Sequence, residues 1–357
     1  MKLSLCMIIR DEEKVLSRCL ESAKSFADEI IIADTGSTDN SEKIALSFTP
    51  HVYKFPWIDD FAAARNFVFS KATGDYLIWL DADDVIPERS LKLVPALREM
   101  LKKDEPDIVM CPYDVGFDEN GKPTTSFFRE RIVKRSGNFV WQGRVHECIA
   151  PRGKIARCDF RISHLGSQKA RGMRNLHIYQ KWAGEEPLSA RDKFYYGREL
   201  FYHGLYTESI AVLEDMLNGD GWYVNKIDAC RTMGLCYAAR KERENALKAY
   251  FRSFLYGEPR AFVCCEIGKL FRLANQYREA AYWYETALNC RDHSAEGDFE
   301  DAACRGLTPL LELVYCYYAL GEKEKAYEFH KKTEELAPTH PSVQYNHNFF
   351  NNNSTSS

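Results

Sequence analysis

The sequence predicts an α/β unit built on a mainly parallel, Rossmann-like sheet, followed by an all-α unit of tetratricopeptide-like repeats. Three observations carry this. Short β-branched runs alternate with helical stretches up to about residue 165, the strand signal vanishes from about Asp192, and glycine, tyrosine and alanine then recur in units of similar but not constant length. The 357 residues correspond to about two domains.

Residues 3–9 are apolar on both alternating faces and read as a buried strand. Residues 12–25 carry Val15, Leu16, Cys19, Leu20 and Ala23 at helical spacing. A second strand spans 29–33, with three consecutive isoleucines, and a helix spans 41–48. A short strand at 52–55, a helix at 61–71 and a strand at 76–80 complete the alternation, the last strand stopping at acidic residues. Continuous β-branched runs separated by helices imply a sheet covered on both faces, and ligands in such sheets bind beyond the strands' carboxyl ends.

The repeats align as Gly197, Gly204, Tyr206 and Leu213; Gly234, Tyr237, Ala246 and Tyr250; Gly268, Tyr277, Ala280, Tyr284 and Ala287; and Tyr317, Gly321, Ala326 and Pro338. The step from Gly234 to Gly268 is the 34 residues of a tetratricopeptide helix pair. Residues 291–301 read as an inserted loop. The expected organisation is a first domain at 1–185, a repeat domain at 190–340 and a disordered asparagine- and serine-rich tail at 346–357.

Composition narrows the class. Hydrophobic residues make up 45% and charged residues 28%, which excludes a wholly disordered or fibrous chain. The net charge of −4 argues against a broad nucleic-acid surface. No apolar run reaches the ~18–20 residues that span a bilayer. The stretch from Met1 to Arg10 is too short for a signal peptide and runs into Asp11, Glu12 and Glu13. The 12 cysteines include no C-x-x-C pair, so reduced thiols, a cytoplasmic location and no zinc are expected.

Four clusters have the residue types of a site. In Asp34-Thr35-Gly36-Ser37-Thr38-Asp39, Asp34 has the chemistry to contact a base or ribose; an Asx turn with Asp39 capping the next helix accounts for the pattern equally well. In Asp81-Ala82-Asp83-Asp84, three carboxylates repel unless a cation compensates, and Asp81 and Asp83 suit one magnesium or manganese ion. A solvated helix start accounts for Asp84. Arg65, after three alanines, has either phosphate or a structural aspartate as its partner. Lastly, Gly143-Arg144-Val145-His146-Glu147 offers Glu147 as a general base, and His164 follows as a candidate metal ligand. Beyond it, Lys169, Arg171 and Arg174 suit a diphosphate or an exposed helix face.

Together these motifs resemble the family-2 glycosyltransferases of the GT-A fold. The resemblance runs from Met1 to about Trp182 through Met7-Ile8-Ile9-Arg10-Asp11-Glu12-Glu13, Asp34 to Asp39, Ala64-Arg65-Asn66, Asp81 to Asp84 and Gly143 to Glu147. Within that family the chain is similar to the sublancin-type peptide S-glycosyltransferases through Gly143 to Glu147, His164, Arg174-Asn175 and Gly197-Arg198-Glu199-Leu200. The resemblance implies an inverting hexosyltransferase using a UDP-hexose with Mg2+ or Mn2+. Asp83, His164 and Asp81 would be metal ligands, and Glu147 the base with His146 as alternate. Arg10, Asp34, Asp39, Arg65, Asp81, Lys169, Arg171 and Arg174 would bind the nucleotide sugar. A peptide or protein acceptor is expected, with a lipopolysaccharide or other glycan as the alternative and a non-catalytic scaffold as the rival class. The repeat groove near Tyr195, Tyr196, Arg198, Tyr202 and Tyr206 suits an extended peptide or a homodimer contact.

Overall fold

A computed structural model describes residues 1–117, 121, 123–166, 172–293, 297 and 301–354. The chain divides into two compact units, Met1–Glu185 and Glu186–Ser357. Among the described residues, no helix is long and apolar enough to cross a membrane.

The first unit begins β1 (Leu3–Ile9), α1 (Leu16–Ala23), β2 (Glu29–Asp34), α2 (Ser41–Phe48), β3 (Val52–Lys54), α3 (Phe61–Lys71) and β4 (Tyr76–Trp79). The four strands pair in parallel in the order β3-β2-β1-β4. Alternate side chains of one strand enter separate cores, as a two-residue period requires. Leu3, Leu5, Met7 and Ile9 join α1 residues Leu16, Cys19 and Leu20, whereas Cys6 joins Ile31, Ala33, Trp79 and α3 residues Ala62 and Val68. That double burial is why the strands read as continuous apolar runs.

The unit continues with β5 (Asp84–Val85), α4 (Glu88–Leu91), α5 (Val94–Lys103), β6 (Ile108–Phe117), β7 (Pro123–Lys134), β8 (Trp141–Gln142), β9 (Cys148–Ile149), β10 (Ile155–Arg157), β11 (Ile162–His164) and α6 (Arg174–Glu185). The sheet is mixed, because β7 runs antiparallel to both β4 and β6. The β6–β7 hairpin has no clear period in sequence: residues 124–128 of β7 are exposed and only 130–133 are buried. After β3 the chain returns to place β4 on the other side of β1. This reversal opens a crevice at the carboxyl ends of β1 and β4.

The second unit is all helical: α7 (Ala190–Tyr202), α8 (Tyr206–Leu217), α9 (Tyr223–Ala239), α10 (Arg243–Arg252), α11 (Ala261–Leu273), α12 (Tyr277–Asn289), α13 (Leu307–Ala319), α14 (Lys323–Leu336) and α15 (Pro341–Ser354). In three successive pairs a glycine meets the side chain sixteen residues later. A Cβ added at Gly197, Gly234 or Gly268 would lie 2.4 Å from Leu213, 2.1 Å from Tyr250 or 3.0 Å from Tyr284. The repeat seen in sequence is therefore a close-approach rule.

Magnitudes separate two of these sites. Helix propensity alone favours alanine over glycine by about 1 kcal/mol, while overpacking costs about 1–3 kcal/mol. Gly268→Ala is expected to be near neutral in urea unfolding. Gly234→Ala is expected to destabilise, because a Cβ 2.1 Å from the buried Tyr250 ring forces a larger shift than one 3.0 Å from the equally buried Tyr284 ring. Equal stability of the two variants would contradict this reading.

The tail expected to be disordered from residue 346 is corrected as far as Ser354, to which α15 continues helical; residues 355–357 lie outside the described residues. Composition hid its anchors. Phe350 stacks on His330 at 5.1 Å, Phe349 meets Tyr318 at 5.1 Å, and Val343 is buried.

Candidate active site

The crevice holds a cavity of about 350 Å³. Arg10 enters from the end of β1, Thr35 from β2, and Asp81 and Asp83 from β4. Arg65 comes from α3, His146 and Glu147 from the turn before β9, His164 from β11, and Arg174 from α6. Eight of the residues singled out in sequence therefore share one space. Asp34 and Asp39 do not line it, and Lys169 and Arg171 lie outside the described residues.

Asp34 is fully buried and forms the Asx turn. Its Oδ1 accepts from the Gly36 and Ser37 backbone N–H at 3.2 and 2.8 Å, and Oδ2 accepts from Lys54 at 2.7 Å. Burial opposes its ionisation, but Lys54 and Ser37 outweigh that and hold the carboxyl below its usual range. Gly36, at φ +104°, lets the chain turn so that Thr35 faces the cavity. Asp39 accepts from the N–H of Ser41 at 2.9 Å and of Glu13 at 3.0 Å, while Asn40 holds the α2 cap position.

Arg65 settles between two acids. Its Nη2 donates to Asp81 Oδ1 and its Nε to Glu147 Oε1, both at 2.6 Å. The guanidinium carbon lies 5.1 Å from the Trp79 ring and 4.8 Å from the Trp141 ring. Three small residues before it, Ala62, Ala63 and Ala64, let α3 lie close to the sheet, and Asp60 caps the helix by accepting from Ala63 N–H at 2.8 Å. Burial works against charge on Asp81, yet Arg65 and Arg131 bring its carboxyl down to about 2.

Asp81 and Asp83 therefore take different partners. Among the described residues of the first unit, the group of acid and histidine side chains whose ligand atoms lie within 4.8 Å of one another is Asp83, Asp84 and His164. His164 Nδ1 is 3.4 Å from Asp83 Oδ1 and 3.3 Å from Asp84 Oδ1. The antiparallel register of β11 on β5, with His164 opposite Asp84, brings them together. Burial, with the charges of Asp81 and Asp84, raises the Asp83 carboxyl; the hydrogen bond with Asp84 and the surrounding carboxylates raise the His164 imidazole.

The solvated role expected for Asp84 is also corrected. It is fully buried and accepts from Arg131 Nη1 at 2.9 Å, Tyr113 OH at 2.8 Å and Asp81 N–H at 3.0 Å. Sequence reasoning passed over Arg131 and Tyr113. A signal existed, since Arg129-Glu130-Arg131 interrupts what is otherwise a strand ending in Ile132-Val133.

The turn carrying Glu147 is held in an uncommon conformation. Gly143 has φ +90° and His146 φ +52°, the left-handed region that side chains seldom adopt. The His146 ring stacks on Tyr179, 6.4 Å away. Arg174 sits 4.7 Å over Phe61, and its pKa is lowered by burial and by the positive charge of Arg10. Two cations thus converge on a cavity that also holds carboxylates, a combination suited to a diphosphate with a counter-ion.

Residues 4–159 match the family model described as Glycosyl transferase family 2. A TPR repeat-containing protein of Synechococcus elongatus is 44% identical over 149 residues, covering 42% of this chain and 35% of its own. The prophage-derived glycosyltransferase SunS of Bacillus subtilis is 26% identical over 224 residues, covering 59% of this chain and 52% of its own. The lipopolysaccharide core biosynthesis glycosyltransferase LpsC of Rhizobium meliloti is 27% identical over 162 residues, covering 43% and 58%. The chain thus spans between about a third and three-fifths of the length of these relatives.

Proposed function

With residues 4–159 a Glycosyl transferase family 2 domain, we propose that the chain transfers a hexose from a UDP-sugar to a peptide or protein side chain, inverting the anomeric carbon. The observation that carries this is the convergence of Asp83, His164, Arg10, Arg174 and Glu147 on one cavity at the sheet's switch point.

The donor set suits a divalent ion. Arg131 and Tyr113 already engage Asp84, so Asp83 and His164 are the side chains that would hold magnesium or manganese, with Asp84 behind them. Such an ion, when bound, lowers the cost of charge developing on the diphosphate. Arg10 and Arg174 would bind the diphosphate oxygens. Asp81, with about a third of its side chain exposed, would accept a ribose hydroxyl while Arg65 keeps it ionised. Asp34 would act indirectly, by holding the turn that presents Thr35.

In the transfer step an acceptor oxygen or sulfur bonds to the anomeric carbon as the bond to the diphosphate oxygen breaks. Glu147 would take the acceptor's proton. Arg65 grips its Oε1 and fixes the carboxylate's orientation, which general-base catalysis needs. Glu147→Gln is expected to slow transfer to a hydroxyl by about 10²–10⁴. Transfer to a thiol should suffer less, since a few per cent is thiolate at neutral pH. Parallel assays on serine and cysteine versions of one acceptor check this, and equal losses would remove Glu147 as the base.

A peptide acceptor is proposed on the resemblance to the sublancin-type peptide S-glycosyltransferases, whose matching residues include Gly197-Arg198-Glu199-Leu200 in the helical unit. The SunS match, 224 residues, is too long for the 185-residue first unit, so it reaches the helical unit. Incubating the chain with UDP-sugars, manganese and candidate peptides or glycans, then recording intact mass, tests the proposal. A hexose gained by a peptide supports it. A hexose gained only by glycans replaces the acceptor, and no UDP release with any of them leaves the scaffold reading.

A further inference from the structure

A second group of candidate metal ligands lies in the helical unit, and none of its residues lines the cavity of the first unit. We propose that His330, Glu334 and His347 bind one divalent transition-metal ion of the zinc class and so clasp α15 onto α14. Cysteine spacing argued against zinc, but cysteine arithmetic does not register a site built from histidine and glutamate.

His330 and Glu334 are four residues apart on α14, the spacing that places two side chains on one helix face. His347 reaches them from α15. The candidate ligand atoms lie within 4.8 Å of one another. His330 Nε2 is 3.5 Å from Glu334 Oε1, and His347 Nδ1 is 2.5 Å from the same oxygen. A cavity of about 360 Å³ beside Glu334 and His347 leaves room for a completing water.

The outer nitrogens are what separate this group from a chance salt bridge. A metal-ligating histidine usually has its other ring nitrogen held by a hydrogen-bond partner, which fixes the tautomer. Thr333 Oγ1 donates to the His330 carbonyl at 2.7 Å, and its oxygen lies 3.4 Å from His330 Nδ1, positioned to accept that N–H. Asn351 Nδ2 lies 2.8 Å from His347 Nε2, and turning that amide over would set its oxygen to accept the Nε2 N–H. Both rings then turn a lone pair toward Glu334. Phe350, stacked on His330, holds that ring's plane. Two imidazoles and one carboxylate favour zinc over magnesium.

The test is zinc chloride titrated into chelator-stripped full-length protein against a chromophoric chelator. Asp83→Ala, which removes a candidate ion ligand of the first unit, should still take up one tight equivalent. His347→Ala and Glu334→Gln should lose it, and Asn351→Ala should weaken it about 10–100-fold. His347 is more than half exposed, so its substitution should leave the fold intact, as circular dichroism will show. Zinc should also raise the melting temperature of wild type but not of His347→Ala. No tight equivalent in Asp83→Ala, or one kept when His347→Ala is added to it, overturns the site.

Discussion

Asp83→Ala is expected to lower sugar transfer by about 10³-fold or more while leaving the protein folded. The estimate follows from the several kcal/mol that a bound divalent ion contributes to charge stabilisation, at about 1.4 kcal/mol per tenfold in rate. Asp83 is the carboxylate of the acidic cluster with the fewest structural duties. Asp81 is bound to Arg65, and Asp84 to Arg131 and Tyr113, whereas Asp83 faces the cavity beside His164. Removing it deletes a candidate ligand without stranding a buried partner. The shape-preserving Asp83→Asn should be nearly as poor, because the amide lacks the charge. Turnover of UDP-sugar across a manganese titration, with and without chelator, provides the measurement. Wild-type rates in both variants, indifferent to chelator, would sink the metal assignment and leave the domain assignment standing.

Arg131→Ala is expected to destabilise the first unit by about 3–5 kcal/mol. Arg131 and Asp84 are both fully buried, paired at 2.9 Å. The Arg131 guanidinium carbon lies 3.7 Å from the Trp79 ring and 4.1 Å from the Tyr113 ring. Alanine removes the counter-charge, strands the Asp84 carboxylate in the interior and leaves a cavity between two aromatic rings. For a unit of this size the melting temperature should fall by about 6–20 °C. Arg131→Met with Asp84→Asn should recover part of the loss, since both charges go together, yet should still impair metal binding. A loss below about 1 kcal/mol for Arg131→Ala would show that the pair contributes little beyond its packing.

Much of the first unit was legible because its strands are buried on both faces. The strand over residues 3–9 and the helices over 41–48 and 61–71 begin and end where the pattern indicates. The first helix starts at Leu16 rather than at residue 12, because the chain first turns so that Glu12 and Glu13 N–H groups meet Ser41 and Asp39. The β6–β7 hairpin escaped notice because half of β7 faces solvent and carries no apolar period. The terminal helix escaped because composition weights asparagine and serine, whereas its packing depends on Val343, Phe349 and Phe350.

The candidate site divides in the same way. Its members could be named from motif and spacing, since acids after a buried strand and a turn rich in glycine and aspartate are properties of neighbours in the chain. Which member does what depends on partners far away. Arg65 takes Asp81, Arg131 takes Asp84, and His164 stands by Asp83, across separations of 16, 47 and 81 residues. Local periodicity alone determined the alternation from β1 to β4 and the division into two units, because burial of a helix or strand face repeats over a few residues. Only the tertiary structure sorted three adjacent carboxylates into a ribose candidate, a metal candidate and a buried support. An ion's neighbours fix its charge state and orientation, and those neighbours are set by how the sheet folds.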